Sequence, residues 1–205
     1  MKKLTEKQAD FMAMFRGTVC QKRVEALFLY HSSPVLCKAK PAVLVTILPP
    51  CVPLWRNRKK AMCRASGLNM TELRSKNGSV LVLIYDQSEL NNSIKNNLSL
   101  EILDKHGYKT NGSVEDFINH LSFRLSDKGF PHEVGLFLGY PPGDVKAYIE
   151  NGGQNCACCR YWKAYENVGK ARETWARIDE AQSYAIDILQ ELPPIHIAAN
   201  LLKAI

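Results

Sequence analysis

Residues 130–167 read FPHEVGLFLGYPPGDVKAYIENGGQNCACCRYWKAYEN, and most of the sequence's information about fold and function lies in this stretch. The apolar run at residues 133–139 predicts a buried strand. Residues 144–150 predict a short helix, which the following Asn-Gly-Gly ends. Residues 161–165 predict a second strand. Three cysteines lie between the helix and that strand.

The rest of the chain alternates predicted helices with two further strands. Residues 42–48 and 79–85 are almost continuous β-branched and aliphatic runs, which is typical of strands buried on both faces. Helical apolar spacing covers residues 4–30, 54–66, 86–107, 113–125 and 169–192. This alternation predicts an α/β layered domain, with a mainly parallel or mixed four-stranded sheet flanked by helices.

A chain of 205 residues fits one domain. We therefore expect a single α/β domain over residues 1–205. Residues 1–30 would form an N-terminal helical arm. Residues 193–205 follow a Pro-Pro pair and would form an apolar tail that docks on the body or on a partner, and a homodimer is one possible arrangement.

The location of the protein is expected to be cytoplasmic. Glu6 and Asp10 interrupt any apolar leader segment. No run approaches the roughly 20 apolar residues that a membrane span needs, so no membrane contact is expected. In a reducing compartment the seven cysteines should be mostly free thiols.

The net charge of +7 permits an acidic partner without requiring one. The predicted helix at residues 54–66 carries five basic side chains: Arg56, Arg58, Lys59, Lys60 and Arg64. They could form a face that binds phosphate groups or nucleic acid, with Trp55 as a stacking residue. The alternative is a solvated helix face, which is the more common role of such charges. Because no nucleic-acid-binding signature accompanies the charges, nucleic acid is an unlikely partner.

The stretch at residues 131–141, PHEVGLFLGYP, resembles a bacterial domain-of-unknown-function family, number 3793. DVK at residues 144–146 and, further along, Trp162, Lys163 and Tyr165 match the same family pattern. HSSPVL at residues 31–36 is similar to its His-Cys-(Ala/Ser)-Pro-Thr-Leu segment, so Ser32 stands where the family has Cys. The resemblance covers about residues 27–184 and implies no assigned activity.

Cys156, Cys158 and Cys159 form the first candidate site. The Cys-x-x-Cys spacing of Cys156 and Cys159 suits a thiol-bound metal such as zinc or iron, or a redox dithiol. A zinc site normally needs four ligands, and the chain has no second Cys-x-x-Cys pair. The alternative is a set of free thiols in a glycine-flanked loop.

Two histidines suggest a catalytic site. His132 could act as a general base or a metal ligand, with Glu133 orienting its ring. His31 and Ser32 could supply a nucleophile that pairs with His132. The alternatives are structural: Glu133 or His132 caps a helix or forms an ion pair, and His31 and Ser32 close the end of a helix.

Tyr140, Trp162 and Lys163 form a candidate ligand-binding group. Tyr140 follows a predicted strand, where α/β sheets commonly bind ligands. Lys163 between aromatic residues could bind an anionic group. The alternative is that Trp162 belongs to the core and Lys163 points to water, since neighbouring strand residues face opposite sides.

We therefore interpret the protein as an accessory module that binds a small ligand or a thiol-coordinated metal. An alternative of a different class is a Cys/Ser-His hydrolase or transferase, so the sequence leaves enzyme activity open. A regulatory interaction protein that uses the basic helix is a weaker alternative.

Overall fold

The computed structural model describes residues 2–14, 20–126 and 130–204. In chain order its elements are α1 (Lys2–Ala13), α2 (Gln21–Leu36), β1 (Ala42–Ile47), a 3-10 turn (Pro49–Cys51), α3 (Val52–Ser66), β2 (Asn69–Lys76), β3 (Ser79–Tyr85), α4 (Gln87–Ile94), α5 (Asn97–Lys105), α6 (Val114–Ser126), α7 (Val134–Phe137), α8 (Pro142–Glu150), β4 (Cys158–Cys159), β5 (Lys163–Ala164), α9 (Val168–Leu189) and α10 (Ile195–Lys203).

The main sheet has three antiparallel strands in the order β1-β3-β2. The α/β class is therefore confirmed, whereas the four-stranded, mainly parallel sheet is wrong. The sequence missed β2 because NMTELRSK is polar and charged, as expected for an edge strand. Asn77 and Gly78 join β2 to β3 with φ of 51° and 75°, the left-handed pair that tight hairpins prefer.

β3 is the central strand and separates the two main clusters of the hydrophobic core. Val80, Val82 and Ile84 face a cluster formed with α2, α3, α9 and α10. Leu83 and Tyr85 face a second cluster formed with the segment from α4 to α8. Side chains alternate between the two faces of a strand, and both faces of β3 are buried. The sequence of β3 is therefore apolar at nearly every position.

The predicted strand at residues 133–139 is wrong: its centre is the single helical turn α7. The Leu138 N–H donates to the Val134 carbonyl at 3.1 Å, and the Tyr140 N–H donates to the Gly135 carbonyl at 2.9 Å. Since every residue of α7 is buried, the segment is apolar throughout. A short apolar run of this kind does not distinguish a buried strand from a buried helix.

The predicted strand at residues 161–165 is reduced to β5, which pairs with β4 in a two-stranded sheet. The predicted helix at residues 86–107 is divided into α4 and α5. Asn96 is the N-cap of α5, and its side chain accepts a hydrogen bond from the Ser99 N–H at 2.9 Å.

Helix α2 continues through the His31–Pro34 segment, where the sequence predicted a stop. Pro34 has no N–H to donate to the carbonyl one turn earlier, that of Tyr30. The Ser33 hydroxyl donates to this carbonyl at 2.8 Å and satisfies it instead. The helix therefore tolerates the proline near its end.

The predicted helix at residues 4–30 is divided into α1 and α2, and Gly17, where the sequence indicates a break between two helices, lies outside the described residues. α1 lies along α9, where the Lys7 ammonium contacts the Asp187 carboxylate at 2.8 Å. At the other end of the chain, α10 buries Ala198, Ala199 and Leu202 in the core cluster that includes α2 and α3.

Gly139 ends the α7 segment with φ of 74°, and a Cβ at this position would press on the Pro41 ring, lying 2.8 Å from its Cγ. We expect Gly139→Ala to lower the free energy of unfolding by about 2–5 kcal/mol, from left-handed backbone strain plus overpacking. Gly67→Ala is the matched control, since Gly67 has φ of 73° and no neighbour within 4 Å of an added Cβ. It should cost only about 1–2 kcal/mol.

Urea denaturation of the wild type and of both variants measures how much free energy of unfolding each substitution removes. Equal losses of unfolding free energy in the two variants would show that the close contact between residue 139 and Pro41 adds nothing to the cost of Gly139→Ala.

Candidate functional site

Helices α7 and α8 and the β4–β5 hairpin line a cavity of about 360 Å³ that is open to solvent, which we call the aromatic cavity. Its lining consists of Phe130, His132, Val134, Gly135, Tyr140, Asp144, Val145, Tyr148, Cys159, Arg160, Tyr161, Trp162 and Lys163. Five predicted site residues therefore line one space: His132, Tyr140, Cys159, Trp162 and Lys163.

Stacked rings form one wall of the aromatic cavity. The Tyr140 and Trp162 rings lie 5.1 Å apart between centroids with an angle of 24° between their planes. Trp162 also makes an edge contact with Trp175 of α9 at 5.2 Å. The Tyr140 hydroxyl donates to the Tyr161 carbonyl at 3.1 Å. This wall is therefore fixed by packing and by a hydrogen bond.

Asp144 connects α8 to the hairpin. Its Oδ2 accepts the indole N–H of Trp162 at 2.8 Å. Its Oδ1 accepts the backbone N–H groups of Tyr165 at 2.8 Å and Glu166 at 3.3 Å. Because the side chain is buried, these donors replace the water that would otherwise solvate the carboxylate. Asp144 thus holds Trp162 in place in the cavity wall.

His132, Tyr148 and Lys163 lie together on the polar side of the cavity. The His132 and Tyr148 rings lie 5.0 Å apart at an angle of 59°. The Lys163 ammonium lies 5.9 Å from the centroid of the Tyr148 ring and donates to the Gly153 carbonyl at 2.6 Å. An ammonium group has three N–H donors, so Lys163 retains capacity for a ligand.

Arg160 and Tyr161 share the carboxylate of Asp179 on α9. An Arg160 nitrogen lies 2.6 Å from one carboxylate oxygen, and the Tyr161 hydroxyl donates at 2.8 Å. Burial raises the pKa of Tyr161, and the hydrogen bond to Asp179 adds to this effect. The positive charge of Arg160 is therefore paired, which leaves Lys163 as the more available cation of the lining.

Glu133 points away from the cavity lining and into the core. It is 1% exposed, its Oε1 accepts from the Arg124 Nε–H at 2.9 Å, and the Tyr108 hydroxyl lies at 3.4 Å. Burial and the nearby Glu133 charge raise the pKa of Tyr108. Glu133 therefore forms an ion pair with Arg124, which is the structural role that the sequence offered as the alternative to orienting His132.

Ser32 is fully buried, and its hydroxyl donates to the Phe28 carbonyl one turn earlier in α2 at 2.8 Å. It does not contribute to the lining that contains His132. His31 is absent from that lining and belongs to a separate cavity. The structure therefore does not bring His31 and Ser32 together with His132 around one space.

Of the three clustered cysteines, only Cys159 belongs to the lining of the aromatic cavity. Cys158 and Cys159 are neighbours on β4, so their side chains face opposite sides: Cys158 packs on the Trp162 cluster, and Cys159 lines the aromatic cavity. All seven cysteines are free thiols. Across residues 2–14, 20–126 and 130–204, no three His, Cys, Asp or Glu side chains are arranged to hold a metal ion.

The family model for a protein of unknown function, DUF3793, matches residues 28–197. The chain belongs to the DUF3793 family. The match includes every residue of the aromatic cavity lining, so the cavity lies wholly within the part that DUF3793 defines. No curated protein and no solved structure matches the chain. No helix of the described residues has the length and apolarity to cross a membrane.

The basic helix of this DUF3793 member is partly neutralised. Arg56 pairs with Glu72 and Arg58 with Glu25, each at 2.7 Å. Trp55 is 1% exposed and lies in the core, so it cannot stack on a nucleic-acid base. These contacts agree with a solvated helix face.

Sequence reasoning missed Asp144, Tyr148 and Arg160 as members of the site. The sequence places both Asp144 and Tyr148 in the short helix predicted at residues 144–150, a pattern that gives neither of them a role in a site. The DVK match of the DUF3793 pattern includes Asp144, which was the available signal. Its partners lie 18 to 22 residues further along the chain, a separation that helical or strand periodicity does not relate.

We expect Asp144→Ala to lower the free energy of unfolding by about 2–4 kcal/mol, because it leaves buried N–H donors without an acceptor. The indole N–H resonance of Trp162 should also move in the NMR spectrum. Asp104→Ala, at an exposed position of α5, is the control and should change the free energy of unfolding by less than about 0.5 kcal/mol. An unchanged indole resonance in Asp144→Ala would contradict the role of Asp144 in placing Trp162.

Proposed function

We propose that the protein is a binding module whose aromatic cavity holds a small planar ligand. The observation that carries this proposal is the convergence of His132, Tyr140, Trp162 and Lys163 on one cavity of about 360 Å³. Pockets for small ligands have volumes in this range and combine apolar walls with a few polar groups.

The walls favour a flat ring. The Tyr140, Tyr148 and Trp162 rings line the cavity, and an aromatic ligand can make offset-stacked or edge-to-face contacts with rings of this kind. Because Asp144 and Trp175 hold Trp162 in place, little side-chain entropy is lost when a ligand binds.

The polar side favours a ligand with a hydrogen-bond acceptor. Lys163 has N–H donors beyond the one directed at Gly153, and the His132 ring adds a polar edge next to Tyr148. A carboxylate or a carbonyl oxygen on the ring would meet these groups. We therefore propose an aromatic or heteroaromatic compound bearing such an acceptor as the ligand class.

The proposal does not include thiol-bound zinc or iron. Cys158 and Cys159 face opposite sides of β4, and only Cys159 of the three clustered cysteines lines the cavity. A single thiol beside aromatic rings is a poor ligand set for either metal, which prefer several Cys or His ligands.

Calorimetric titration with naphthalene-2-carboxylate tests the proposal, since this probe combines a flat ring system with one carboxylate. We expect saturable binding at one site per chain. Lys163→Met should weaken binding about ten- to hundredfold, because a charged hydrogen bond is lost. Lys170→Met, at an exposed lysine of α9, should leave the affinity unchanged.

Absence of binding by wild-type protein, or equal affinities of wild type and Lys163→Met, would contradict this proposal. His132→Ala provides an independent variant on the other side of Tyr148. A folded His132→Ala protein should also bind the probe more weakly.

A thiol enzyme is the second candidate, because Cys159 and His132 line the same cavity and Cys159 is exposed. Such an enzyme would use a thiolate whose proton is held by the imidazole, and the thiol would then react rapidly at neutral pH. The serine version has less support, since the Ser32 hydroxyl is buried within α2.

The alkylation rate of Cys159 separates these two candidates. A binding module predicts that His132→Ala leaves the reaction with iodoacetamide at pH 7 nearly unchanged. A thiolate–imidazolium pair predicts that the same variant reacts about tenfold more slowly. Peptide mass spectrometry assigns the modified residue, and the partly exposed Cys156 in the same loop is the internal control.

A further inference from the structure

A second cavity of about 200 Å³ lies beyond Tyr140, and we call it the Lys40 cavity. It shares Tyr140 and Tyr161 with the aromatic cavity. Its remaining lining comes from α2, β1 and α9 together with Leu138 and Lys40 itself. The two cavities are therefore neighbours that share these two tyrosines.

The backbone around Lys40 is held firmly in place. The Lys40 N–H donates to the Pro34 carbonyl at 3.0 Å. Pro41 packs against the turn at Gly139, and its carbonyl accepts the Asp86 N–H at 3.0 Å. The position of the Lys40 side chain is therefore set by α2, the start of β1 and the Gly139 turn together.

The Lys40 ammonium lacks a counter-charge in the part of the chain that the structure describes. Its Nζ lies over the face of the Tyr140 ring, 5.2 Å from the centroid. No carboxylate or carbonyl within these residues forms an ion pair or hydrogen bond with Nζ. The neighbouring Lys38 differs, since its ammonium lies 2.6 Å from the Asp86 carboxylate.

Burial lowers the pKa of Lys40 to about 8, as expected for a partly buried ammonium group without an opposite charge. A bound anion would supply that charge. The lowered pKa of Lys40 and the position of its ammonium group beside the cavity both favour binding of an anion there.

Gln182 and His31 add donors to the same cavity. Gln182 Oε1 accepts from Gln8 Nε2 at 3.2 Å, and it lies 3.3 Å from the Tyr161 hydroxyl, which donates its proton to Asp179. These contacts orient the amide and leave its N–H groups available. An imidazole nitrogen of His31 can also donate a hydrogen bond. The polar part of the cavity therefore presents mainly donors, which suits an oxyanion.

The rest of the lining is aliphatic, with Pro34, Val43, Leu138 and Ile178 among its members. Inorganic phosphate would leave this surface unused, whereas an alkyl chain would bury it. We propose that the Lys40 cavity binds a short aliphatic carboxylate, with the carboxylate on the Lys40 ammonium and the chain against these aliphatic side chains. This site is separate from the ligand site of the proposed function.

Titration of isotope-labelled protein with acetate, butanoate and hexanoate, followed by NMR, tests the proposal. We expect shifts at Lys40, His31 and Gln182, and an affinity that rises about fourfold for each added methylene group. Lys40→Gln should weaken butanoate binding about ten- to hundredfold. Lys60→Gln, at an exposed lysine of α3, should not change it.

Butanamide is the matched neutral ligand, and it should bind wild-type protein much more weakly than butanoate does. This comparison does not depend on the folding of any variant. His132→Ala should retain butanoate binding, which separates this site from the aromatic cavity.

Three results would overturn the proposal: no butanoate-dependent shifts at Lys40, equal affinities for butanoate and butanamide, or phosphate competing as well as hexanoate.

Discussion

The buried carboxylate of Asp144 is the contact on which the candidate site depends. A carboxylate that loses its water must gain hydrogen bonds from the protein, and Asp144 takes them from the Trp162 indole and from two backbone N–H groups of the segment after β5. This requirement ties α8 to the hairpin. The stacking of Trp162 on Tyr140, and hence one wall of the aromatic cavity, follows from it.

Tyr140 extends this arrangement to the second cavity. One of its contacts is the Trp162 ring, and the Lys40 ammonium lies over its ring at 5.2 Å. Its position depends in turn on the tight turn at Gly139, which packs on Pro41 beside Lys40. A ligand that moved Tyr140 from either cavity would therefore act on the wall of the other. The chain thus places two cavities with different linings against one aromatic residue.

Much of the candidate site could be predicted from the sequence, because its residues are concentrated in one stretch. His132, Tyr140, Trp162 and Lys163 were all named from that stretch, and they line one cavity. Glu133 was also named, but its side chain turns toward Arg124. Adjacent residues such as His132 and Glu133 are indistinguishable by spacing when the local backbone is a turn rather than a regular strand. Lys40 was missed because a lysine before a proline has no distinctive pattern.

The sequence by itself determined the α/β class, the strands β1 and β3, and the membership of the family, because these depend on local apolar runs and on matching residues. The tertiary structure alone decided the antiparallel order of the sheet, the helical turn at α7 and the separation of Ser32 from His132. An apolar run records burial but not which neighbour provides it. Pairing, register and shared cavities come from contacts between residues far apart in the chain, and those contacts exist only after the chain has folded.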